Sequence, residues 1–596
     1  MSENKIARIP IASHGLHKHS YNYPWLSSIN FGDVMPCYIN PIRKGEKDSP
    51  KAGMYSQLMP IAHNAFATGR FNFKAIFVPF KFVWKPWYAF DQQTSYYAAD
   101  GTNFIPNRYP YIYHSELSSA IIAEYCTQST SDNYDVAMYF AQGDTRYYLL
   151  NAAGRRVLRV LGALGCMPNF VYPDKTYTIN ILPILCYIKA YCDYYFPNNY
   201  VGNTLYRDAM SLLELEVTNY SNYTTRLLDA LDLCSVNFYE NSVFDLAWDR
   251  PTAPNAGVPV SNVAVTDITS NANSAGSLTG AVVTNDPNSA NSPNAAIYKP
   301  TNGTPFVGGQ SGSSSVGNSY NTGLFTKYVI DALSAVSMWA KRHQLSGARL
   351  LDKFLVSRGV TLSNDSARIS YFLGQRNVEI SVSGVANTTD TALGELAGRG
   401  VASSGNEPLK FECKAEDDGI FFVVVSPLPD ANFPINLDGF ANRVDFMDNY
   451  HSEFDKLGVD AVPARVVQQS LNGDLNMQNV DSVFGFLNRY WDEVQERPRL
   501  LGDFVLQSRG AEELSAYHTF RMFGDMTRVH SFDFVRMSDA EQYQRLFYSA
   551  AQENLMLFLR WYGDQYKEKL PLGDSYDWDD DELNRKVSVV VGGSQK

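Results

Sequence analysis

Residues 71–87 read FNFKAIFVPFKFVWKPW, and the fold turns on how they are read. Phe71, Phe73, Ala75 and Phe77 fall on one side of a two-residue period, the mark of a strand with one face in a core. Pro79 cannot donate to a ladder, so the strand ends there. Trp84, Pro86 and Trp87 then carry the chain across something apolar. A strand that leaves its sheet in this way opens a long excursion before the next one. Phe77, Pro79, Trp84 and Trp87 are therefore packing or interface residues.

Working outward, a chain of 596 residues holds three or four ordinary domains, or one core enlarged by long insertions. Its 38 Tyr and 34 Phe point to β-structure and to extensive contact surfaces, since Tyr joins an apolar body to a polar tip. The net charge of −12, from 62 acidic against 50 basic residues, argues against a dedicated duplex-DNA binder. It leaves room for local basic patches or for a separate basic partner. Seven scattered cysteines without a CxxC pair predict reduced thiols rather than a disulfide framework or a zinc site. The first 25 residues lack the apolar core of a signal peptide, and no stretch reaches membrane-spanning length, so neither export nor membrane insertion is expected.

The excursion runs from about residue 88 to 250. Within it Ile184, Ile188, Tyr191 and Tyr195 repeat at helical spacing and predict one apolar helix face. Val329, Leu333, Val336 and Ala340 do the same in a later helix. Between the two, residues 251–322 are Ser, Asn, Gly, Ala, Thr and Val, with Asp267, Asp286 and Lys299 as the charged members. Such a segment buries little core of its own. Helix resumes directly after it, so it is read as a surface insertion within one domain. The second half reads as β. Leu409, Phe411, Cys413 and Ala415 alternate, Asp418-Gly419 predicts a hairpin turn, and Ile420–Val425 is apolar on both faces. VEISVSGV (378–385) and VFGFLNRYWDEV (483–494) predict further strand pieces, and together these give an antiparallel sandwich elaborated by insertions.

Catalytic motifs are missing: the sequence has no Walker loop, GxSxG elbow, HExxH or GxGxxG. His14, His17 and His19 have metal-like spacing but no Cys or carboxylate nearby, and are read as a mobile N-terminal arm. The acidic run at 574–584 lacks the Gly and the final Glu of a calcium loop. Two basic clusters are candidates for phosphate contact: Arg155, Arg156 and Arg159, and the pair Lys341 and Arg342. With no constellation for chemistry, the residues predict a structural or binding protein rather than an enzyme, with no cofactor and no metal.

Taken in order, these stretches resemble the major capsid protein of the Microviridae, small tailless phages with single-stranded DNA, in its gokushovirus-type branch. Phe77, Val78, Pro79 and Trp84 match that family's Phe-Val-Pro-x-x-x-x-Trp segment. LGALGCMP (161–168), LPILCYIKAYCDYYFPNNY (182–200) and FDLAWDRPTAPNAG (244–257) are similar to its turn, Tyr-rich helix and entry into a variable insertion. The helix over 328–360 resembles the one that leaves that insertion. YFLGQRNVEISVSGV (371–385), VFGFLNRYWDEV (483–494), GDFVL (502–506) and AYHTFRMF (516–523) continue the match, which spans most of residues 25–525. NPIRKGEKD (40–48) and EDDG (416–419) depart from the family pattern.

The resemblance implies an eight-stranded antiparallel jelly roll, a viral capsid β-sandwich with long helix- and loop-containing insertions. It implies self-assembly into a T=1 icosahedral shell around circular single-stranded DNA. The partners implied are the chain itself, the genome, a small basic packaging protein, a pilot or minor capsid protein and a receptor on the host surface. The location implied is the virion, assembled in the bacterial host cytoplasm.

Mapped on the chain, this gives an N-terminal arm (1–24), first jelly-roll strands (25–90) and a helical interstrand insertion (91–250). A threefold surface protrusion (251–322), a helical return (323–375), second jelly-roll strands (376–525) and a C-terminal extension (526–596) follow. Tyr195, Phe196, Phe484 and Tyr490 join the packing or interface candidates; Tyr298, Phe306 and Tyr320 are candidates for host contact. The competing reading is a carbohydrate-binding or hydrolytic β-sandwich, which needs a cleft with converging carboxylates or stacked aromatics.

Overall fold

The computed structural model describes residues 16–59, 68–129, 138–141, 147–170, 173–197, 203–238, 296–298, 306–308, 331, 335–336, 338–339, 350–386, 396–403, 407–429, 431–432, 437–452, 459–463, 466, 483–494, 519–520, 553 and 555–568. The chain divides into two compact units, one of residues 1–250 with 347–596 and one of residues 251–346. The division isolates the low-complexity stretch together with part of the helix after it.

The larger unit is mainly antiparallel β. Its eight principal strands are β1 (His17–Ile29), β2 (Met35–Ile42), β3 (Lys47–Leu58), β4 (Thr68–Pro79), β5 (Tyr371–Ala386), β6 (Leu396–Ser403), β7 (Gly419–Pro429) and β8 (Leu555–Lys567). They hydrogen-bond in the order β1-β8-β3-β6-β5-β4-β7-β2, every neighbour antiparallel. The long strand β5 joins the two halves of this order. Its first part pairs with β4, from Tyr371 opposite Phe77 to Ser381 opposite Thr68. Its second part pairs with β6, from Ser381 opposite Val401 to Ala386 opposite Leu396.

The two halves turn their apolar faces toward each other. β3 alternates strictly and β8 does so as far as Tyr562, with Ala52, Met54, Leu557, Leu559 and Trp561 inside. From the other half, Tyr38 of β2 reaches Trp561 at 4.8 Å between ring centroids and Phe421 of β7 at 5.8 Å. At the same end lies a buried polar knot. The Asp48 carboxylate of β3, 0% exposed, accepts hydrogen bonds from Tyr38 Oη (2.6 Å), Asn40 Nδ2 (2.6 Å) and Tyr21 Oη (3.2 Å). Gln565 and Lys567 of β8 extend the knot by donating to Tyr38 Oη and Asn40 Oδ1.

The half containing β4 and β7 is covered on its other face as well. Ile76, Val78, Phe422 and Val424 are at most 1% exposed although they point away from the strand faces just described. The longer helices in the first part of the β4–β5 insertion are α1 (His114–Tyr125), α2 (Ala152–Ala163), α3 (Leu182–Tyr194), α4 (Thr204–Leu213) and α5 (Thr224–Cys234). The α3 helix packs on the sheet, with Tyr187 edge-on to Phe422 and Lys74 of β4 donating to the Tyr194 carbonyl at 3.1 Å. The spacing predicted one buried face for α3; instead nearly every side is buried, Lys189 and Asp193 included. Those two charges pair at 2.8 Å, and Asp193 also accepts from the Ser370 backbone N–H (2.8 Å) and hydroxyl (2.7 Å), which ties the insertion to the start of β5.

Three expectations change. His17 and His19 sit in β1, paired along its whole length with β8, so the arm is already strand by residue 17 and the C-terminal region supplies a central strand. Leu409–Lys410 and Cys413–Lys414 pair with β3, not with Ile420–Val425, so no hairpin forms. Gly419 is required there for closeness rather than for a turn, because a Cβ would lie 2.3 Å from the Val78 carbonyl oxygen. The 483–494 segment does contain a strand, Val483–Asn488, but it pairs with Val459–Pro463 in a separate two-stranded sheet.

Burial raises the Asp48 carboxyl above its ordinary range, against the lowering effect of its Tyr38, Asn40 and Tyr21 donors. A raised folded value means that its stabilising contribution is full below the unfolded carboxylate range, about 3.9, and is lost as pH rises through the folded value. Asp48→Asn keeps the shape and removes the charge. In urea titrations, D48N is expected to gain on the natural chain as pH rises above about 4. A difference independent of pH would overturn this account of Asp48.

Candidate interaction surfaces

The aromatic run after β4 packs inside its own subunit. Trp84 is 0% exposed and donates its indole N–H to the Val217 carbonyl at 3.0 Å, in the segment between α4 and α5. Trp87 rests on Phe80 at 4.5 Å, and Phe90 on Tyr109 at 4.6 Å. Pro79 precedes the short helix Phe80–Val83, and Phe77 packs beside Tyr371. The run thus folds beneath the insertion that it opens.

The first basic cluster lies on α2, a helix begun by Asn151, whose side chain accepts from the Gly154 N–H. Its spacing brings Arg156 to Asp232 of α5 at 3.2 Å. Arg159, with its side chain 11% exposed, bridges Asp33 and Glu553. Those carboxylates raise the Arg159 pKa against burial, and burial pushes the Asp33 carboxyl up against the pull of Arg159. Arg155 is half-buried beside them. This geometry makes Arg156 and Arg159 structural residues, which fasten α2 to the β1–β2 connection, to the approach to β8 and to α5. Lys341 and Arg342 lie outside the described residues.

Tyr195 and Phe196 are both buried. Tyr195 stacks on Tyr191 at 5.6 Å beneath the Lys74 ammonium, and Phe196 meets Tyr206 and Phe238. Tyr490 is 7% exposed, with its hydroxyl on the Asn449 carbonyl at 2.8 Å and the Arg443 guanidinium 5.7 Å from its ring. Phe484 lies in the Val483–Asn488 strand. In the smaller unit Tyr298 stands opposite Phe306 across an antiparallel pair, Ala296–Tyr298 with Phe306–Gly308. Tyr320 lies outside the described residues, as does the acidic run at 574–584. Of the later predicted helix face, Val336 is described, helical and 36% exposed.

The chemistry these residues permit is limited. Among the described residues no His, Cys, Asp and Glu group has metal-binding geometry, and no helix is long and apolar enough to cross a membrane. All seven cysteines are free; burial pushes the Cys126 thiol up to about 11 and Cys166 to about 12, away from reactive thiolate character. A shallow depression is lined by Lys85, residues 98–100, Thr102, Phe104 and residues 214–219. In it Glu216 accepts from the Ala99 N–H (2.6 Å) and Lys85 Nζ (3.0 Å), and these hold its carboxyl below the usual range. A glycosidase acid needs the opposite shift.

Comparison with known proteins adds no assignment: no family model matches the chain, and no curated protein sequence matches it. What sequence reading missed is the outer face of β1, β8 and β3. There Leu26 (75% exposed), Tyr55 (48%) and Met556 (45%) stand in the open. The alternation of β3 and β8 was the available signal, but their adjacency was not.

Arg159→Leu is expected to cost about 3–5 kcal/mol in urea unfolding, because Asp33 is left buried without its counter-charge. Asp33→Asn on that background is expected to recover part of the loss. Equal stability of R159L and the natural chain would overturn the structural role.

Proposed function

We propose that this chain is a self-assembling capsid subunit of the Microviridae type, built on an eight-stranded jelly roll and enclosing single-stranded DNA. The observation that carries the reading is the strand order. β1-β8-β3-β6 and β5-β4-β7-β2 are the two four-stranded halves that interleaved Greek keys produce, the arrangement of viral jelly rolls. Two further features support it. The sheet is elaborated by a helical insertion between β4 and β5, as the resemblance implies. The low-complexity stretch falls in a compact unit of its own, residues 251–346, where a surface protrusion is expected.

On this reading the closed shell removes exposed sheet edges from solvent and repeats heterologous contacts around symmetry axes. The genome, a small basic packaging protein and a pilot protein are its partners, and the virion is its location. The 251–322 insertion projects at the threefold axes and meets the host receptor, with Tyr298, Phe306 and Tyr320 as contact candidates.

Electron microscopy of the purified chain, with and without nuclease, tests the reading. Uniform isometric particles protecting single-stranded DNA are expected. A persistent monomer, in the presence of its packaging partner as well, would overturn it. Deleting residues 258–318 is expected to leave soluble, assembling subunits that have lost infectivity; loss of soluble protein on deletion would contradict the role given to that insertion.

A further inference from the structure

We propose that the outer face of β1, β8 and β3 is a binding platform for single-stranded DNA. Its source as a packaged genome rests on the shell reading; the platform itself does not. Because paired residues in an antiparallel ladder share a face, the registers define rows across the strands. In one row Tyr566 stands between Lys18 and Lys47, with Lys414 beyond. In another Tyr562 stands between Asn22 and Lys51, with Lys410 beyond. Next come Pro24, Arg560 and Gly53, and then Leu26, Phe558 and Tyr55.

All six cations of this face, Lys18, Lys47, Lys51, Lys410, Lys414 and Arg560, are exposed. The acidic groups among them and at their rim are Asp564 and the exposed Glu412, Glu416 and Glu568. A basic face on a chain of net charge −12 is a local concentration, not a sample of the composition. Asp564 is engaged by Lys18 at 3.0 Å. Among the described residues, Lys47, Lys51, Lys410 and Lys414 form no ion pair within 4.0 Å, although the Lys51 charge also acts on the Asp564 carboxylate.

A second observation points the same way. Lys51 is directly opposite Lys410, and Lys47 directly opposite Lys414. Like charges facing each other across a ladder are destabilising, and a polyanion laid along these strands relieves both repulsions. The interleaved rings decide which polyanion. Tyr566, Tyr562 and Tyr55 are 37%, 36% and 48% exposed and offer stacking surfaces between the cations. Backbone-tracking cations with aromatic stacking are the chemistry of single-strand binding. A duplex keeps its bases paired and leaves these rings unused. A protein–protein interface core is depleted in lysine, whereas here lysines surround the rings.

The test measures anisotropy of a fluorescent oligothymidine of about 20 nucleotides with the full-length dissociated subunit, from about 50 to about 300 mM salt. Binding is expected to weaken with salt. The variant with Lys47, Lys51, Lys410 and Lys414 all changed to Ser is expected to flatten the log–log slope by about 3, from about 0.7 per phosphate contact. The corresponding fourfold Arg variant is expected to keep the slope. Tyr562→Ser and Tyr55→Ser are each expected to weaken binding about tenfold at fixed salt. If the fourfold Ser variant does not fold, Lys51→Ser alone carries the test with a slope change of about 0.7.

An unchanged slope in the Ser variants overturns the platform, as does equal displacement of the probe by duplex DNA or by polyglutamate. Electron microscopy of the same preparations separates the two proposals. Shells with an unchanged slope leave the shell reading standing without this platform. Slope loss without shells leaves the platform standing without the shell.

Discussion

Asp48 is the point on which the two halves of the sheet close. Its carboxylate belongs to β3, in one half of the strand order, and its two strongest donors, Tyr38 and Asn40, belong to β2, at the far edge of the other half. A buried carboxylate is costly to desolvate and is tolerated where donors satisfy its lone pairs. Here neutral hydroxyl and amide groups do so. The arrangement also fixes register, since a slip of one residue in β3 would turn Asp48 to solvent and Lys47 or Ser49 into the core. Tyr38 carries both roles, offering its hydroxyl to Asp48 and its ring to Trp561 and Phe421.

The helical insertion follows from the same sheet. β7 and the end of β4 beside it, Ala75 to Val78, are apolar on both faces, so one face fills the space between the halves and the other needs a cover. The α3 helix supplies it, and the tyrosines explain how a helix can be buried on nearly all sides. Tyr187 donates to the carbonyls of Val34 (3.2 Å) and Cys234 (2.9 Å), using its polar tip where the backbone has unmet acceptors. Part of the tyrosine excess therefore serves the interior of the subunit rather than contacts with other molecules.

Legibility followed locality. The strand at 71–79, its stop at Pro79, the α3 helix and the doubly buried run Ile420–Val425 were readable, because each depends on a few neighbouring residues. Pairings between distant segments were not. Nothing in residues 17–29 announces a partner more than five hundred positions away in 555–567. The alternation of Leu409, Phe411, Cys413 and Ala415 is strand-like in sequence, and the four residues are buried. The Asp418-Gly419 turn signal suggests a local hairpin, while the long β3 strand takes the pairing instead.

The same limit explains the basic residues. Arg155, Arg156 and Arg159 draw notice because they are close in sequence, yet α2 turns Arg156 and Arg159 onto interior carboxylates, the setting that suits a planar, always charged guanidinium. Lys18, Lys47, Lys51, Lys410 and Lys414 are scattered in sequence and meet only once the strand order is known. Net charge could not reveal them. Screening at physiological salt cuts exposed charges off from one another beyond about 8 Å. A phosphate resting on this face therefore experiences the lysines around it far more than the −12 carried by the whole chain. An acidic chain and a locally basic face are compatible for that reason, and the fold alone determines where on the chain the second can exist.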